Sequence, residues 1–245
     1  MFTVPIATRR QQRRTATLAD IKAAALRQLR DVGPAALSLR AVAAELEMSA
    51  GALYRYYDGR DGLLTELITD GFADLAAALT RVRDQHDGDD IADALFAVSM
   101  AYRRWAMQHP HEFALLYGTP IPDYAAPVDG PTSMASRSVG QVFIPLLIDG
   151  WRAGRLRVLD DVAGAATLHP LVAPYAASIE PNIPPEVATT ILACWTRIHG
   201  PVILEVFGHL HWLTTDAEPV YTSMIRGLLS DIGLRPLPAL AASSD

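Results

Sequence analysis

The segment MSAGALYRYYDGR, residues 48–60, decides how the rest of this chain is interpreted. Ser49 is placed to cap a helix, because its hydroxyl can accept from the free backbone N–H groups of a first turn. Residues 50–52 are small, so the front of that helix can lie close to another surface, and residues 54–56 then supply hydroxyl and guanidinium donors. This combination suits the major groove of DNA. The alternative on these residues alone is an amphipathic helix with ordinary surface side chains.

Two more helices are expected ahead of this segment. The Thr-x-x-Asp pattern at 17–20 is a capping box in its acidic variant, and it opens a helix that the Gly-Pro pair at 33–34 ends. Ser38 is placed to cap a second, short helix, and a turn at 47–48 follows it. Three helices, of which the last two are joined by a tight turn, make a helix-turn-helix.

The composition is that of a globular protein with a large core, since half of its 245 residues are hydrophobic. No uninterrupted apolar run approaches the roughly 18 residues of a membrane span. The start MFTVPIATRRQQRR lacks the order of charged and apolar residues found in a signal peptide. The single cysteine, Cys194, excludes an intrachain disulfide and fits a reducing cytoplasm. We therefore expect a cytoplasmic protein with no membrane partner.

Charge is distributed unevenly along the chain. Residues 1–60 contain ten Lys or Arg and five Asp or Glu, whereas the remainder contains eleven against twenty-two. An acidic protein whose N-terminal part is basic is expected to bind a polyanion through that basic part. Residues 1–16 show no apolar period and are expected to form a flexible basic arm that contacts phosphates or enters a minor groove, with a solubilising tail as the alternative. Its arginines are Arg9, Arg10, Arg13 and Arg14.

Beyond residue 60 the pattern stays helical, with breakers between helices and no strand-like alternation. We therefore predict an all-α fold. Four prolines between residues 118 and 131 indicate an ordered loop or a lid, and a helix at 159–179 is expected to be interrupted at Pro170 and Pro174. The predicted parts are a flexible arm at 1–16, a helix-turn-helix DNA-binding domain at 17–62, a helical regulatory and dimerisation domain at 63–236 and a flexible tail at 237–245.

The ordered series across the three helices resembles the TetR/AcrR family of transcriptional regulators. The resemblance covers about residues 17–65 and implies that Arg40 and the small residues at 50–52 touch bases. It implies phosphate contacts for Tyr54, Tyr56 and Arg60. The matching residues are Ala24, Gly33, LSLRAVA at 37–43, Met48, Ser49, LYRYY at 53–57, Arg60, Leu63 and Leu64. The expected DNA-binding residues are Arg40, Ser49, Ala50, Gly51, Ala52, Tyr54, Arg55, Tyr56 and Arg60.

Three residues depart from the family pattern. Glu47 stands where the turn usually has Gly, at a position expected to need a positive φ, so mild backbone strain is expected there. Arg60 replaces a usual Lys, which keeps the charge. Gly59 replaces the usual polar cap of the fourth helix, at a cost of about a few tenths of a kcal/mol.

The segment CWTRIHGP, residues 194–201, is the second informative stretch. Trp195 and His199 are four residues apart and share a helix face, and Pro201 cannot donate a helical hydrogen bond, which predicts a kink. Such a corner is either a ligand-sensing site or plain packing or a dimer contact. With FGHL at 207–210 after it, the Trp-His-Gly pattern resembles a TetR subgroup whose carboxy-terminal domain is named for those three residues.

An effector pocket is expected in the acidic part of the chain. Aromatic and Met side chains line adaptable apolar pockets, although each of them would serve equally well as plain core. Few basic residues lie in this region, so the expected effector is a small molecule that is apolar, neutral or cationic and not polyanionic. The proline-rich loop at 118–131 is placed to gate it. The expected lining residues are Met100, Trp105, Phe113, Tyr117, Phe143, Trp151, Tyr175, Trp195 and His199.

No chemistry of another class is indicated by the sequence. The histidines make no compact Cys/His ligand set, the acidic residues at 87–90 lack the calcium-loop pattern, and Cys194 has no signature of a catalytic thiol. There is no glycine-rich phosphate loop and no Gly-x-Ser-x-Gly elbow. We therefore expect no metal, no cofactor and no enzymatic activity.

The sequence predicts a DNA-binding regulator, in the first instance a repressor, that binds a near-palindromic operator in double-stranded DNA as a homodimer. A small-molecule effector would release it from the operator by binding more tightly to a conformer in which the two DNA-binding domains of the dimer are misplaced for the operator. The dimer is expected on the last two long helices, 185–208 and 218–233. The alternative is a helical ligand-binding or enzymatic protein whose basic head docks to an acidic partner. The apolar residues expected in the dimer interface are Ile191, Val202, Leu204, Val206, Leu213, Val220, Met224, Leu228 and Leu229.

Overall fold

The structure is a computed structural model, and it describes residues 8–88, 90–126, 129–158, 165–179 and 183–234, with the backbone alone for 165–169. Within these ranges the regular secondary structure is helical, which confirms the predicted all-α fold. A short 3-10 turn, Pro34–Ala36, follows the first helix. The α-helices are α1 (Arg9–Val32), α2 (Leu39–Glu45), α3 (Ala50–Leu53), α4 (Gly59–Gln85), α5 (Ile91–Gln108), α6 (Pro110–Tyr117), α7 (Pro131–Arg152), α8 (Ala165–Ile179), α9 (Pro185–Val206) and α10 (Glu218–Asp231).

The chain divides into two compact units. The first contains Met1–Ala73 and His109–Ser136, and the second contains Asp74–Gln108 and Arg137–Asp245. The first unit is larger than the helix-turn-helix alone, because it also includes the start of α4, all of α6 and the loop that follows α6. The functional boundaries drawn from the sequence stay predictions, and the expected tail at 237–245 lies outside the described residues.

Helix α1 begins earlier than the sequence indicated. Thr8 caps it, because the Thr8 hydroxyl accepts from the backbone N–H of Gln11 at 3.3 Å and the Gln11 side chain accepts from the N–H of Thr8 at 2.7 Å. This is a complete capping box. Thr17 lies inside the helix and donates its hydroxyl to a backbone carbonyl at 3.0 Å. The prediction that the helix starts at Thr17 is therefore wrong, since residues 9–16 are already helical; residues 1–7 lie outside the described ranges.

Helices α2 and α3 form the predicted helix-turn-helix, and both caps are confirmed. The Ser38 hydroxyl accepts from the N–H of Ala41 at 3.5 Å, and the Ser49 hydroxyl accepts from the N–H of Ala52 at 3.2 Å. Helix α3 is a single α-helical turn, and residues 54–57 continue it as hydrogen-bonded turns.

The turn between α2 and α3 places Glu47 in the left-handed region, with a φ of +53°. The N–H of Glu47 bonds to the carbonyl of Ala44 at 3.2 Å, and the N–H of Met48 bonds to the carbonyl of Ala43 at 2.8 Å. This is the Schellman arrangement that ends many helices, and it favours glycine at the position of Glu47. The positive φ expected there from the sequence is confirmed.

Each unit has its own apolar core. In the first unit Ile21, Leu53 and Phe113 are completely buried, and the ring of Tyr117 on α6 meets the ring of Phe72 on α4 edge-on at 5.4 Å. The ring contact joins α4 to α6, and the burial of Ile21 and Leu53 shows that α1 and α3 each contribute to the interior of this unit. Helix α3 is therefore part of a packed helical unit.

The second unit contains a buried ion network that joins three helices. Arg103 of α5 is only 8% exposed. Its Nε and Nη2 donate to the two carboxylate oxygens of Glu205 at 2.8 and 2.6 Å, and its Nη1 donates to Glu218 at 2.8 Å. This bidentate geometry is the strong form of an arginine–carboxylate pair, and it ties α5 to the end of α9 and the start of α10.

Helices α8 and α9 both run through prolines. Pro170 and Pro174 lie inside α8, so the predicted interruption of that helix is not observed, and Pro201 lies inside α9, where the kink stays a prediction. Helix α9 is long and apolar enough to cross a membrane, with a mean hydropathy of 1.3 over 18 residues. Half of that window is buried inside the protein, so its apolar character is explained by its place in the core.

Candidate nucleic-acid interface

The recognition segment, residues 49–56, is held by one face and exposed on the other. Leu53 within it and Tyr57 just after it are buried, Leu53 completely, and they anchor the segment on the core of the first unit. Tyr54 is 56% exposed, and Arg55 is exposed as well. The hydroxyl and guanidinium donors therefore stand on the side away from the core, where they can meet another molecule.

Arg40 lies exposed on the first turn of α2, and both ends of that helix are tied to α1. At its start the backbone N–H of Ser38 donates to the side-chain oxygen of Gln28 at 2.7 Å. At its end Glu45 pairs with Arg27 at 2.6 Å. Arg40 is thus presented by a fixed element, as a base-reading residue must be. Its contact with a base stays a prediction.

Arg60 binds backbone carbonyls of the protein itself. Its Nη2 donates to the carbonyl oxygens of Pro34 at 3.0 Å and Ala35 at 3.1 Å, and its Nη1 donates to that of Pro122 at 3.2 Å. A guanidinium has five N–H donors, so three are used in these bonds. A phosphate contact by Arg60, which stays a prediction, would have to use the other two.

The loop that follows α6, residues 118–126, is anchored on the first unit. Ile121 is buried, and the hydroxyl oxygens of Tyr124 and Thr65 lie 3.0 Å apart. The sequence predicted an ordered loop or lid here but not its position beside Arg60. The hydrogen bonds of the Arg60 guanidinium go to backbone carbonyls. Every residue has such a carbonyl, so the sequence does not indicate which ones are used.

Helix α1 brings a cation to the recognition segment. The Cζ atom of Arg14 lies 5.4 Å from the centre of the Tyr56 ring, which is cation–π geometry. Arg9, Arg10 and Arg13 are exposed on the same two turns. This contact could not be predicted from an arm without secondary structure, which is what the sequence indicated for residues 1–16.

Part of the residue set predicted to line an effector pocket forms an aromatic cluster in the second unit. Phe143, Trp195 and His199 surround Tyr102, a residue that the sequence did not single out. The Tyr102 hydroxyl lies 2.6 Å from Nδ1 of His199, the Trp195 and His199 rings stack at 4.9 Å, and the Phe143 and Tyr102 ring centres are 6.2 Å apart. Burial lowers the pKa of His199 to about 4, so the imidazole is neutral at neutral pH.

The other members of that set lie elsewhere. Trp105 donates its indole N–H to the carboxylate of Asp74 at 2.9 Å within the second unit. Tyr175 is 38% exposed. The remaining members are Phe113 and Tyr117 in the first unit and Met100 and Trp151 in the second.

A cleft of about 830 Å³ opens in the second unit between α4, α5 and α10. Phe96 and Met100 are among its apolar lining residues, Asp90, Asp93 and Glu218 line it with carboxylates, and Arg104 lines it with a guanidinium. Of the nine residues predicted for the pocket, only Met100 lines this cleft. Across the described residues no three His, Cys, Asp or Glu side chains are grouped so as to hold a metal ion.

Two protein-family models match the chain. The model described as bacterial regulatory proteins, tetR family, matches residues 21–67, and the model described as tetracyclin repressor-like, C-terminal domain, matches residues 95–228. The first spans the helix-turn-helix and the start of α4, and the second reaches from α5 into α10. Neither description mentions the Trp-His-Gly subgroup, which stays a prediction.

Known proteins match over most of the chain. HTH-type transcriptional regulator Rv1816 of Mycobacterium tuberculosis is 37% identical over 212 residues, which are 83% of this chain and 87% of the relative. HTH-type transcriptional regulator Mb1846 of Mycobacterium bovis matches equally well. The crystal structure of SCO4313, described as a regulatory protein, has a TM-score of 0.73 and 32% identity and covers 91% of this chain and 100% of its own. A TetR-family regulator from Rhodococcus RHA1, with a TM-score of 0.58, 20% identity and coverage of 88% and 96%, supports the fold alone.

Proposed function

The chain belongs to the TetR family of bacterial transcriptional regulators, and we propose that it represses transcription by binding a near-palindromic operator as a homodimer. As a member of this family it is a DNA-binding regulator rather than an enzyme. In this proposal residues 17–62 bind double-stranded DNA, residues 63–236 carry the dimer contacts and the effector site, and the protein acts in the cytoplasm.

The observation that carries the DNA-binding assignment is the exposed recognition segment. Ser49 caps it, Leu53 and Tyr57 anchor it, and Tyr54 and Arg55 project from it into solvent. A short helix with Ala50, Gly51 and Ala52 at its front can approach base edges closely, while the hydroxyl and guanidinium groups after it bind phosphates.

A gel shift with the purified protein tests this assignment. The probe is the DNA directly upstream of the protein's own gene, and the matched control is a duplex of equal length and shuffled sequence. Specific regulators bind their site about 10³–10⁷ times more tightly than other DNA, so a shift confined to the upstream probe is expected. Equal binding to both duplexes would contradict operator recognition. Binding to an acidic protein and to neither duplex would favour the alternative, in which the basic N-terminal part docks to an acidic partner.

Exposed apolar residues at the end of α9, in the turn after it and on α10 support the homodimer. Leu204, Leu213 and Met224 are each about half exposed, and Trp212 is 81% exposed. Such residues mark interaction surfaces when they occur together. The predicted interface set needs one correction, because four of its members are buried inside a single chain: Ile191, Val202, Leu228 and Leu229.

Light scattering at micromolar concentration tests the dimer. The wild type is expected at twice the chain mass of 26.5 kDa, and the double variant Leu204→Glu/Met224→Glu is expected at the single mass, because two carboxylates per chain would be desolvated in the interface. Met134→Glu is the matched control, since Met134 is an exposed methionine of α7. A monomeric wild type would contradict the homodimer, and a double variant that remains dimeric would contradict the proposed interface.

We also propose that a neutral or cationic small molecule releases the repressor. The cleft of about 830 Å³ supports this, because ligand pockets span roughly 300–1,000 Å³. Its lining combines Phe96 and Met100 with three carboxylates and the Arg104 guanidinium. Asp90 and Glu218 already pair with Arg155 and Arg103, so Asp93 is the carboxylate that a cation would meet. Thermal unfolding is measured with an aromatic quaternary ammonium compound and with a carboxylate of the same skeleton. Stabilisation by the cation alone, reduced in Asp93→Asn, is expected, and preference for the carboxylate would contradict the proposal.

A further inference from the structure

We infer that α1 carries a second phosphate-binding surface, formed by Arg10 and Arg14, which extends the recognition segment along the backbone of the bound DNA. This inference rests on the proposed DNA-binding function, and it adds phosphate ligands outside the helix-turn-helix. Its partner is the phosphate backbone of double-stranded DNA and not the edges of the bases.

The two arginines lie on the stripe of α1 that faces the core further along the helix. Arg10, Arg14, Ile21 and Ala25 are separated by four, seven and four residues, which keeps them on one face of a helix. Ile21 and Ala25 are completely buried, whereas both arginines are exposed. Arg14 precedes Ile21 by about 10 Å along the helix axis. The start of α1 therefore extends beyond the core as an overhang, and on this overhang the stripe consists of exposed arginines instead of buried apolar residues.

The contact between Arg14 and Tyr56 shows which way this overhang faces. The guanidinium carbon lies 5.4 Å from the centre of the Tyr56 ring, and Tyr56 belongs to the recognition segment. Arg10 follows on the same stripe about 6 Å further along the axis. The surface of the recognition segment therefore continues onto Arg14 and then onto Arg10.

The stability of α1 does not account for this positive charge. Its first turn contains four polar residues and no acidic one, and its first acidic residue is Asp20. Cations at this end of a helix interact unfavourably with the helix dipole. A polyanion laid against the overhang would supply the missing counter-charge, and the side chains of Arg10 and Arg14 are the groups that would bind it.

The helical state of residues 9–16 selects phosphates as the target. The capping box between Thr8 and Gln11 holds these residues in α1, whereas entry into a minor groove, as the arms of some DNA-binding proteins do, requires an extended chain. Side chains on a helix beside the recognition segment can reach the adjacent sugar–phosphate backbone. Their contribution is therefore expected to be independent of sequence and strongly dependent on salt.

Two double variants test the inference because they remove equal charge from the same two turns. Arg10→Ala/Arg14→Ala removes the proposed surface. Arg9→Ala/Arg13→Ala is the matched control, since each of its arginines precedes its counterpart by one residue and points about 100° away around the helix. Alanine favours helix, and circular dichroism checks that α1 remains folded. The affinity for the upstream duplex and for a shuffled duplex is measured at salt concentrations between about 50 and 200 mM, a range over which phosphate binding changes affinity by about 10³–10⁵.

For Arg10→Ala/Arg14→Ala the slope of log affinity against log salt is expected to become shallower by about 0.9 for each phosphate that is no longer neutralised, or about 2 per bound chain, on both duplexes alike. A smaller change is expected for Arg9→Ala/Arg13→Ala. Equal changes in the two variants, an unchanged slope, or a weakening confined to the upstream duplex would overturn the inference while leaving the proposed function intact. Failure of the wild type to bind either duplex would overturn the proposed function itself.

Discussion

The guanidinium of Arg60, at the start of α4, donates a hydrogen bond to the backbone carbonyl of Pro122, in the loop after α6, at 3.2 Å. The same side chain donates to the carbonyls of Pro34 and Ala35 in the 3-10 turn before α2. The residue that the family resemblance assigns to phosphate therefore also fastens two segments of the first unit. Substitutions can separate these two roles.

Arg60→Lys is expected to lower stability more than it lowers DNA affinity. An ammonium keeps the positive charge for a phosphate, but its compact head cannot span acceptors that the planar guanidinium reaches from two nitrogens. Losing one or two hydrogen bonds should reduce the free energy of unfolding in urea by about 1–2 kcal/mol. Arg30→Lys, at the exposed end of α1, is the control and should change little. Unaltered urea unfolding of Arg60→Lys would argue against the fastening role.

Arg40→Ala should relax sequence preference, whereas Tyr56→Phe should weaken binding to all DNA equally. A bidentate arginine–base contact is worth about 1–3 kcal/mol of discrimination at one base pair. A phosphate contact carries no sequence information, and Tyr56→Phe keeps the ring that lies against Arg14. Binding to the operator, to single-base variants and to shuffled DNA checks both. Equal losses on all three for Arg40→Ala would remove it from the base-reading residues.

Glu47→Gly should leave the fold unchanged and raise its stability. An L residue in the left-handed region costs about 1–2 kcal/mol, and Glu47 has a φ of +53°. The greater freedom of glycine in the unfolded chain offsets part of the gain, which leaves an increase of up to about 1 kcal/mol in the free energy of unfolding. Ala44→Gly, in the regular part of α2, is the control and should cost about 1 kcal/mol. A loss in Glu47→Gly as large as in the control would show that no strain is relieved.

Arg103→Met should be strongly destabilising, and Arg103→Met/Glu205→Leu should recover most of the loss. The side chains of Arg103 and Glu205 are 9% and 10% exposed, and removing one partner leaves a buried charge at a cost of about 3–5 kcal/mol. Removing both charges eliminates that cost. Arg27→Met breaks an exposed pair with Glu45 and should change the free energy of unfolding by at most about 1 kcal/mol. Additive losses in the Arg103 and Glu205 variants would contradict the coupling.

The cluster at His199 should make the protein less stable in mild acid. Burial lowers the pKa of His199 to about 4, below the value of about 6.5 expected in an unfolded chain. Between these two values the unfolded state binds more protons, so the free energy of unfolding falls as the pH drops from about 6.5 to 4. His199→Gln does not titrate and should flatten this dependence, whereas His111→Gln, at an exposed position, should leave it unchanged. Identical pH profiles for the three proteins would exclude His199 as the source.

The helix-turn-helix was predictable because each of its signals is local. Ser38 and Ser49 cap helices through N–H groups three residues away, and Glu47 takes its positive φ from hydrogen bonds that reach back three to five residues. Such features depend on one turn of chain and can be deduced from the order of the residues. The ordered motif also identified the family, which the matching family models and relatives confirm.

The start of α1 shows where local signals compete. The predicted start at Thr17 lies beside the apolar period, whereas the helix is capped nine residues earlier, at Thr8. The structure uses Thr8, since Arg and Gln are good helix formers and a helix extends cheaply from a turn already formed. Residues 9–16 are therefore helical and place Arg14 against Tyr56, and they are not the arm without secondary structure that the sequence indicated.

The sequence by itself determined the all-α fold, the caps at Ser38 and Ser49, the charged N-terminal part and the family, because periodicity and capping act within a few residues. Only the tertiary structure decided which distant side chains meet. Arg60 and Pro122 are 62 residues apart, Tyr102 and His199 are 97 apart, and Arg103 and Glu205 are 102 apart. Each pair forms because the helices pack at high density. A polar group that becomes buried between them must then hydrogen-bond to whichever partner the packing brings within reach. No local pattern specifies such a pair, so the roles of Arg60 and Tyr102 became visible only in the folded chain.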